Sequence, residues 1–313
     1  MQEQIQNKNL TKNSFRAKFI RHSLFAAAVL ILPLAWWAFS FFFTTTDTIL
    51  LAFKKYDYDY SAYYWCGLDN IASVINEMLG DGNTLNTSFR NSFLIWGINI
   101  LFRLPVSVII SYSLYKKVAG TGAFKIILFL PSIVSGMVWV IIYKFLIEYG
   151  VPTILGVNPK EMTSLLNVQP TDLVLLIVYT EWLGLAANMV IYTGAMSRVP
   201  PSLVEAGQLD GLTDFKELIY IVLPLIFPTL SVVLTTAVIG IFTSSLPTYE
   251  FYGQDTKPHL YTFGYYTFIK GFNQSPKEIP MVSALSLIVS CLATPFTLLT
   301  RWALEKFGPT VEY

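Results

Sequence analysis

Four ionisable residues stand where chemistry could be done. Arg103 and Glu181 lie inside long apolar runs, where a charge costs about 2.5–3.5 kcal/mol on membrane-insertion scales and marks a site by default. Glu205 and Asp210 lie in a polar stretch between two such runs, with Gly211 directly behind. None of the four is set out for bond-making. A nucleophile, base and orienting group do not converge in the apolar runs, and His22 and His259 are isolated, so no metal cluster is indicated. Cys66 and Cys291 are too far apart in sequence for a CxxC site. There is no Gly-x-x-x-x-Gly-Lys-Ser/Thr segment, so ATP hydrolysis is not assigned to this chain. What remains is hydrogen bonding, ion pairing and the docking of surfaces.

Arg103 shares a polar stripe with Asn99, Ser107 and Ser111 at i+4 spacing, and Glu181 shares a helical face with Leu185, Asn188 and Tyr192. Each charge lies about ten residues from the same end of its apolar run, roughly 15 Å at the helical rise. An Arg103 to Glu181 pair is therefore geometrically open. Two readings stand side by side: a polar lining that hydrogen-bonds a hydroxylated solute, or an ion pair and amide contacts that hold helices together. Trp139 and Trp182 are open in the same way, as platforms for a ring or as interface and headgroup-level aromatics.

The elements that must position these residues follow from composition. The chain is 54% hydrophobic and only 13% charged, far below the roughly one-quarter charged content of soluble domains. A net charge of +1 argues against a nucleic-acid partner. Runs long enough to cross a hydrocarbon core fall at 24–44, 92–115, 124–147, 172–195, 218–243 and 280–303. They predict one six-span membrane domain over 24–303, a tail at 1–23 and a second tail at 304–313. The first run follows Arg16, Lys18 and Arg21 but has no small-residue cleavage pattern, so it reads as a retained span. Lysine and arginine on short segments, Lys116, Lys117, Lys125, Arg198, Lys216, Arg301 and Lys306 among them, place both termini and the 196–217 loop in the cytoplasm. His22 and His259 then fall on opposite sides of the membrane. Prolines 33, 105, 131, 224 and 228 predict bent spans. The alternating aromatic and polar run from Lys54 to Trp65 reads as an interfacial segment or as a contact for an external protein.

The 196–217 loop has the signals of a short helix. Ser202 is placed to cap it, Glu205 to reach back as the second half of a capping box, and Gly211 to end it in the left-handed conformation. Leu203, Ala206 and Leu209 or Leu212 would form a small apolar face, which asks for a groove on another protein.

At this point the chain resembles the membrane-spanning subunits of binding-protein-dependent ABC importers. Their loop reads Glu-Ala-Ala, three residues, Gly, then about nine residues to Ile-x-Leu-Pro. This sequence supplies Glu205, Ala206, Asp210, Gly211, Phe215, Ile221, Leu223 and Pro224 in that spacing. It departs at Gly207 and Leu212, where alanine is usual, and Gly207 should weaken the helix by roughly 0.5–1 kcal/mol. Leu130-Pro131, Gly136, Trp139 and Tyr149-Gly150 look like the carbohydrate-type branch related to the maltose permeases. The resemblance implies an all-α membrane protein of the type I ABC importer permease fold in the bacterial cytoplasmic membrane. It implies no cofactor in this chain, ATP-Mg on separate ATPase subunits that receive the 202–224 loop, a second homologous permease chain, and an extracytoplasmic solute-binding protein. Sugar or oligosaccharide is the implied cargo. The rival is a secondary carrier driven by an ion gradient, which leaves the loop unexplained.

Overall fold

The computed structural model describes residues 25–80, 82–118, 120–159, 162–272 and 275–309. The predicted tail at 1–23 lies outside them. Six helices are long and apolar enough to cross a membrane: α1 (Phe25–Leu51), α3 (Thr84–Tyr115), α5 (Gly136–Ile154), α6 (Thr171–Met196), α8 (Asp214–Thr243) and α10 (Glu278–Phe307). Shorter elements join them. A hairpin of β1 (Lys54–Asp57) and β2 (Ala62–Trp65) and helix α2 (Asp69–Leu79) lie between α1 and α3. Helix α4 (Thr121–Ile133) precedes α5, α7 (Pro201–Leu209) joins α6 to α8, and α9 (Phe263–Phe272) precedes α10.

The predicted spans recur with longer ends, because a helix continues past the point where its sequence stops being apolar. Thus α10 runs on to Phe307, through the Arg301–Glu305 ion pair at 2.7 Å, into what reads from sequence as a tail. The third run differs in kind. Instead of one helix over 124–147 there are two, because Val134 and Ser135 are extended (ψ 144° and 136°) and the helix restarts at Gly136. Pro131 removes one backbone donor just before this break, and Gly136 lowers the helical preference just after it.

Three spans show how this chain keeps prolines in hydrocarbon. Five-residue π-helical segments occupy Asn99–Arg103, Leu146–Gly150 and Leu218–Val222, and prolines 105, 152 and 224 follow at the same offset. A proline ring collides with the carbonyl four residues back. In all three helices that carbonyl (Leu101, Glu148, Tyr220) belongs to the middle residue of the π segment, where the wider turn makes room. A fourth π segment, Phe41–Thr45, has no proline behind it.

The bundle packs through three apolar clusters. One lies near the hairpin, around Val74, Leu85, Phe242, Phe263 and Leu285. Another joins α5 and α6 around Val140, Leu176, Tyr179 and Phe251. The third lies at the α7 end, around Tyr112, Tyr192, Met196, Val204 and Val222. Helix α1 takes almost no part: its apolar window buries nothing within the chain, and Trp36, Trp37, Phe42 and Phe43 are all more than 60% exposed.

At the hairpin end, Asn91 of α3 donates its amide to the carbonyls of His259 and Tyr261, both at 2.8 Å, tying down the segment before α9. Asn91→Ala should leave both carbonyls without this donor and cost about 1–3 kcal/mol, read as a lower midpoint of thermal unfolding in detergent; an unchanged midpoint would show that the amide carries no stability.

Candidate functional site

Two places qualify, one at the α7 end and one inside the bundle. Helix α7 is organised differently from the capping-box expectation. Pro200 occupies the N-cap position and Pro201 opens the helix, with no side-chain cap. Proline suits that first position because its fixed φ is helical and its missing N–H had no partner to lose. Ser202 is therefore inside the helix and exposed, and Glu205 projects from the exposed side rather than closing a cap.

The far end is built as expected and more completely. Gly211 sits at φ +79°, Leu212 N–H donates to Gly207 O at 3.0 Å, and Gly211 N–H donates to Gln208 O at 3.0 Å. Together these form a Schellman motif, which satisfies carbonyls that the helix end would otherwise orphan. The motif usually carries an apolar contact across the end, and here Leu212 folds back over Gly207. A Cβ at 207 would stand 3.0 Å from Leu212 Cδ1 and 2.5 Å from Ile221 Cδ1. The glycine that should weaken the helix is thus also a point of close approach to its own end and to α8.

The helix presents two unlike faces. Val204 and Gly207 are buried, Val204 in the apolar cluster at this end. Leu203, Ala206 and Leu209 are exposed, Leu209 at 89%, with Glu205 and Asp210 beside them and Phe215 exposed just beyond. Leu212 is half-buried and belongs to the inner side. Leu223 packs partly into the same cluster, and Pro224 follows the π segment of α8.

Beneath α7 lies a buried acid that the sequence reading passed over. Glu217 is 1% exposed, accepts hydrogen bonds from Tyr112 Oη at 2.9 Å and from Lys116 Nζ at 2.9 and 3.2 Å, and faces Gln208 Nε2 at 3.3 Å. Lys116 also reaches Asp214 at 3.1 Å. Burial pulls the pKa of Lys116 down, but the hydrogen bonds it donates to Glu217 and Asp214, with their charges, outweigh it and leave the ammonium above its ordinary value. Glu217 stands 101 residues from Lys116, and nothing in the local pattern couples them.

The second place is a cavity of about 730 Å³ walled by α3, α6 and α8 and bounded at the hairpin end by residues 244–246 and Thr262. Arg103, Glu181 and Asn188 line it, with Asn99, Thr236 and Ser244. Arg103 Nε stands 3.6 Å from Glu181 Oε2, with side chains 18% and 6% exposed. That is an ion pair without a hydrogen bond, since neither Glu181 oxygen nor Arg103 Nε has a hydrogen-bond partner among the described residues. Gly184, one turn along α6 from Glu181, makes the approach possible: any Cβ there would fall on the Arg103 guanidinium. Asn99–Arg103 is also one of the π segments, so the stripe of α3 is re-aimed where the charge sits.

The structure separates the remaining candidates from this cavity. Trp139 and Trp182 meet edge to face at 5.0 Å and 88°, joining α5 to α6, and neither lines the cavity. Tyr192 is fully buried in the cluster at the α7 end. His259, isolated in sequence, stands 2.8 Å from Asp172, whose carboxylate is wholly buried at the start of α6.

The Gly207–Leu212 contact makes a test. Gly207→Ala should destabilise the α7 end and Leu212→Ala should leave a void, but the double variant should recover part of the loss, with a coupling of about 0.5–3 kcal/mol in thermal unfolding. Strict additivity would mean the two side chains do not share the space.

Residues 103–312 match the family described as binding-protein-dependent transport system inner membrane component. Curated relatives include the multiple sugar-binding transport system permease protein MsmF of Streptococcus mutans, 27% identical over 44% of this chain and 48% of that protein. The arabinooligosaccharides transport system permease protein AraP of Bacillus subtilis is 27% identical over 56% of each. The osmoprotective compounds uptake permease protein GgtC of Synechocystis is 28% identical over 69% of this chain and 73% of that one. The chain spans about half the length of the first two. Among solved structures, a bacterial ABC transporter involved in the import of the acidic polysaccharide alginate superposes with a TM-score of 0.70 at 17% identity, covering 92% of this chain and 98% of its own, a likeness of fold. The family match runs from Arg103 on the cavity wall, through helix α7, to beyond the end of α10, and the chain belongs to the binding-protein-dependent transport system inner membrane components.

Proposed function

We propose that this chain is the permease subunit of an ATP-driven importer for a sugar or oligosaccharide, and that it performs no chemistry of its own. In this reading its spans form the translocation path with a second permease chain. The α7 end faces the cytoplasm, where separate ATPase subunits bind ATP-Mg and receive α7, and an extracytoplasmic solute-binding protein delivers cargo at the hairpin end.

The observation that carries the reading is the two-faced helix α7. Its inner face is anchored through Val204 and Gly207, while Leu203, Ala206 and Leu209 stand uncovered at the tip of the bundle. A helix of nine residues that exposes its leucines beside Glu205 and Asp210 suits the groove of another protein better than lipid. The family description and the names of the sugar-transporting relatives support the same reading. A related solved structure was obtained with an alginate pentasaccharide-bound periplasmic protein, which supports an external delivery partner.

The cavity supports the cargo class. Its volume falls within the range of about 300–1,000 Å³ typical of small-ligand sites. Arg103, Glu181 and Asn188 line it, with apolar area between them. Such a surface meets hydroxyl groups and ring faces without demanding a net charge. On this reading Arg103 and Glu181 form part of the path: both Glu181 oxygens and Arg103 Nε are without a hydrogen-bond partner among the described residues but are covered by their surroundings, so a passing hydroxyl reaches them only when the walls part.

Uptake into vesicles reconstituted with the partner subunits should require ATP. Uptake driven by a proton or sodium gradient without ATP would overturn the proposal in favour of a secondary carrier. Gly211→Val, which places a β-branched residue at φ +79° at a cost of about 1–2 kcal/mol, and Glu205→Ala should abolish ATP-coupled uptake while membrane insertion persists.

A further inference from the structure

Glu217 is a carboxylate with 1% exposure at the foot of α8, and three elements meet on it. Tyr112 and Lys116 come from the last turn of α3 and the residue after it, Gln208 from α7, and Glu217 itself from the first turn of α8. Helices α3 and α8 are also two of the three walls of the cavity. Along α3, Lys116 and Arg103 are thirteen residues apart, roughly 20 Å at the helical rise. One buried acid therefore links the exposed helix to both walls.

Stability alone gives little reason for this arrangement. Well-packed apolar residues usually hold a buried position as well as an ion pair does, whereas removal of one partner leaves an uncompensated charge. What a hydrogen-bonded acid adds is geometry, since donors from three directions fix relative positions that apolar surfaces allow to slide. The other attachments of α7 to the bundle, at Val204 and Gly207, are of the apolar kind.

We propose that Glu217 is a positioning residue for transport, locking α7, α3 and α8 into one body so that a displacement of α7 moves two cavity walls together. Lys116 and Tyr112 are its counterparts on α3. Asp214, 76% exposed on the far side of Lys116, is not part of the lock. The inference rests on the reading that a separate ATPase engages α7.

The test measures solute imported per ATP hydrolysed in vesicles holding the complete complex. Glu217→Gln, alone and combined with Lys116→Met, should leave assembly and ATP hydrolysis within about twofold of wild type while import per ATP falls roughly tenfold, inside the 5–150-fold range of ordinary coupling energies. Lys116→Arg, which keeps charge and donors, should preserve the ratio, and Asp214→Asn should not change it. Tyr112→Phe removes a single buried hydroxyl, keeps the packing, and should lower the ratio by a smaller factor. Import and hydrolysis falling in equal proportion in Glu217→Gln, in its combination with Lys116→Met and in Tyr112→Phe would make the cluster a structural staple and overturn the proposal, as would an unchanged ratio. Wild-type import that needs no ATP would instead remove the ATPase reading beneath it.

Discussion

In hydrocarbon every backbone polar group must find its partner within the protein, because an unmet one costs several kcal/mol. The spans of this chain carry prolines in spite of that constraint, and much of their shape is the response. Three π segments sit where a proline ring would strike the carbonyl four residues behind it. Two of them fall at the candidate sites. The Asn99–Arg103 segment holds the two residues of the polar stripe of α3 that line the cavity, and the Leu218–Val222 segment begins one residue after Glu217. Where the same constraint meets Pro131, the chain leaves the helix at Val134 and begins again at Gly136.

Two buried carboxylates then divide the molecule. Glu181 stands on the wall of the cavity with its arginine at 3.6 Å and with hydrogen-bonding capacity unused. Glu217 is packed shut by three donors and has almost no exposed surface. The first keeps acceptors unpaired and the second has them filled. Helix α3 connects them, with Arg103 near its middle and Lys116 just past its end.

Apolar length made the spans legible in the sequence, and the loop spacing made α7 legible, since both signals are local. The Arg103–Glu181 approach was open to a depth argument because the two charges lie about equally far along their apolar runs in the sequence, although the helices themselves begin at Thr84 and Thr171. Its enabling partner, Gly184, one turn from Glu181, could have been found as a small residue on the same face. The capping box failed because Pro200 and Pro201 start the helix before Ser202 can cap it. The Glu217 cluster was not legible: Lys116, Asp214 and Glu217 read as ordinary polar residues at span ends, and only the fold brings together positions 101 residues apart. His259 was set aside for the same reason, its partner Asp172 lying 87 residues away.

The fit of Leu212 over Gly207 also limits what can be exchanged. A side chain at 207 would meet Leu212 Cδ1 at 3.0 Å and Ile221 Cδ1 at 2.5 Å, whereas a smaller residue at 212 would only leave a void. The two positions therefore tolerate change unequally, 212 more than 207. A helix-end segment grafted from another protein fits this bundle best when it brings a glycine at 207, whatever it brings at 212.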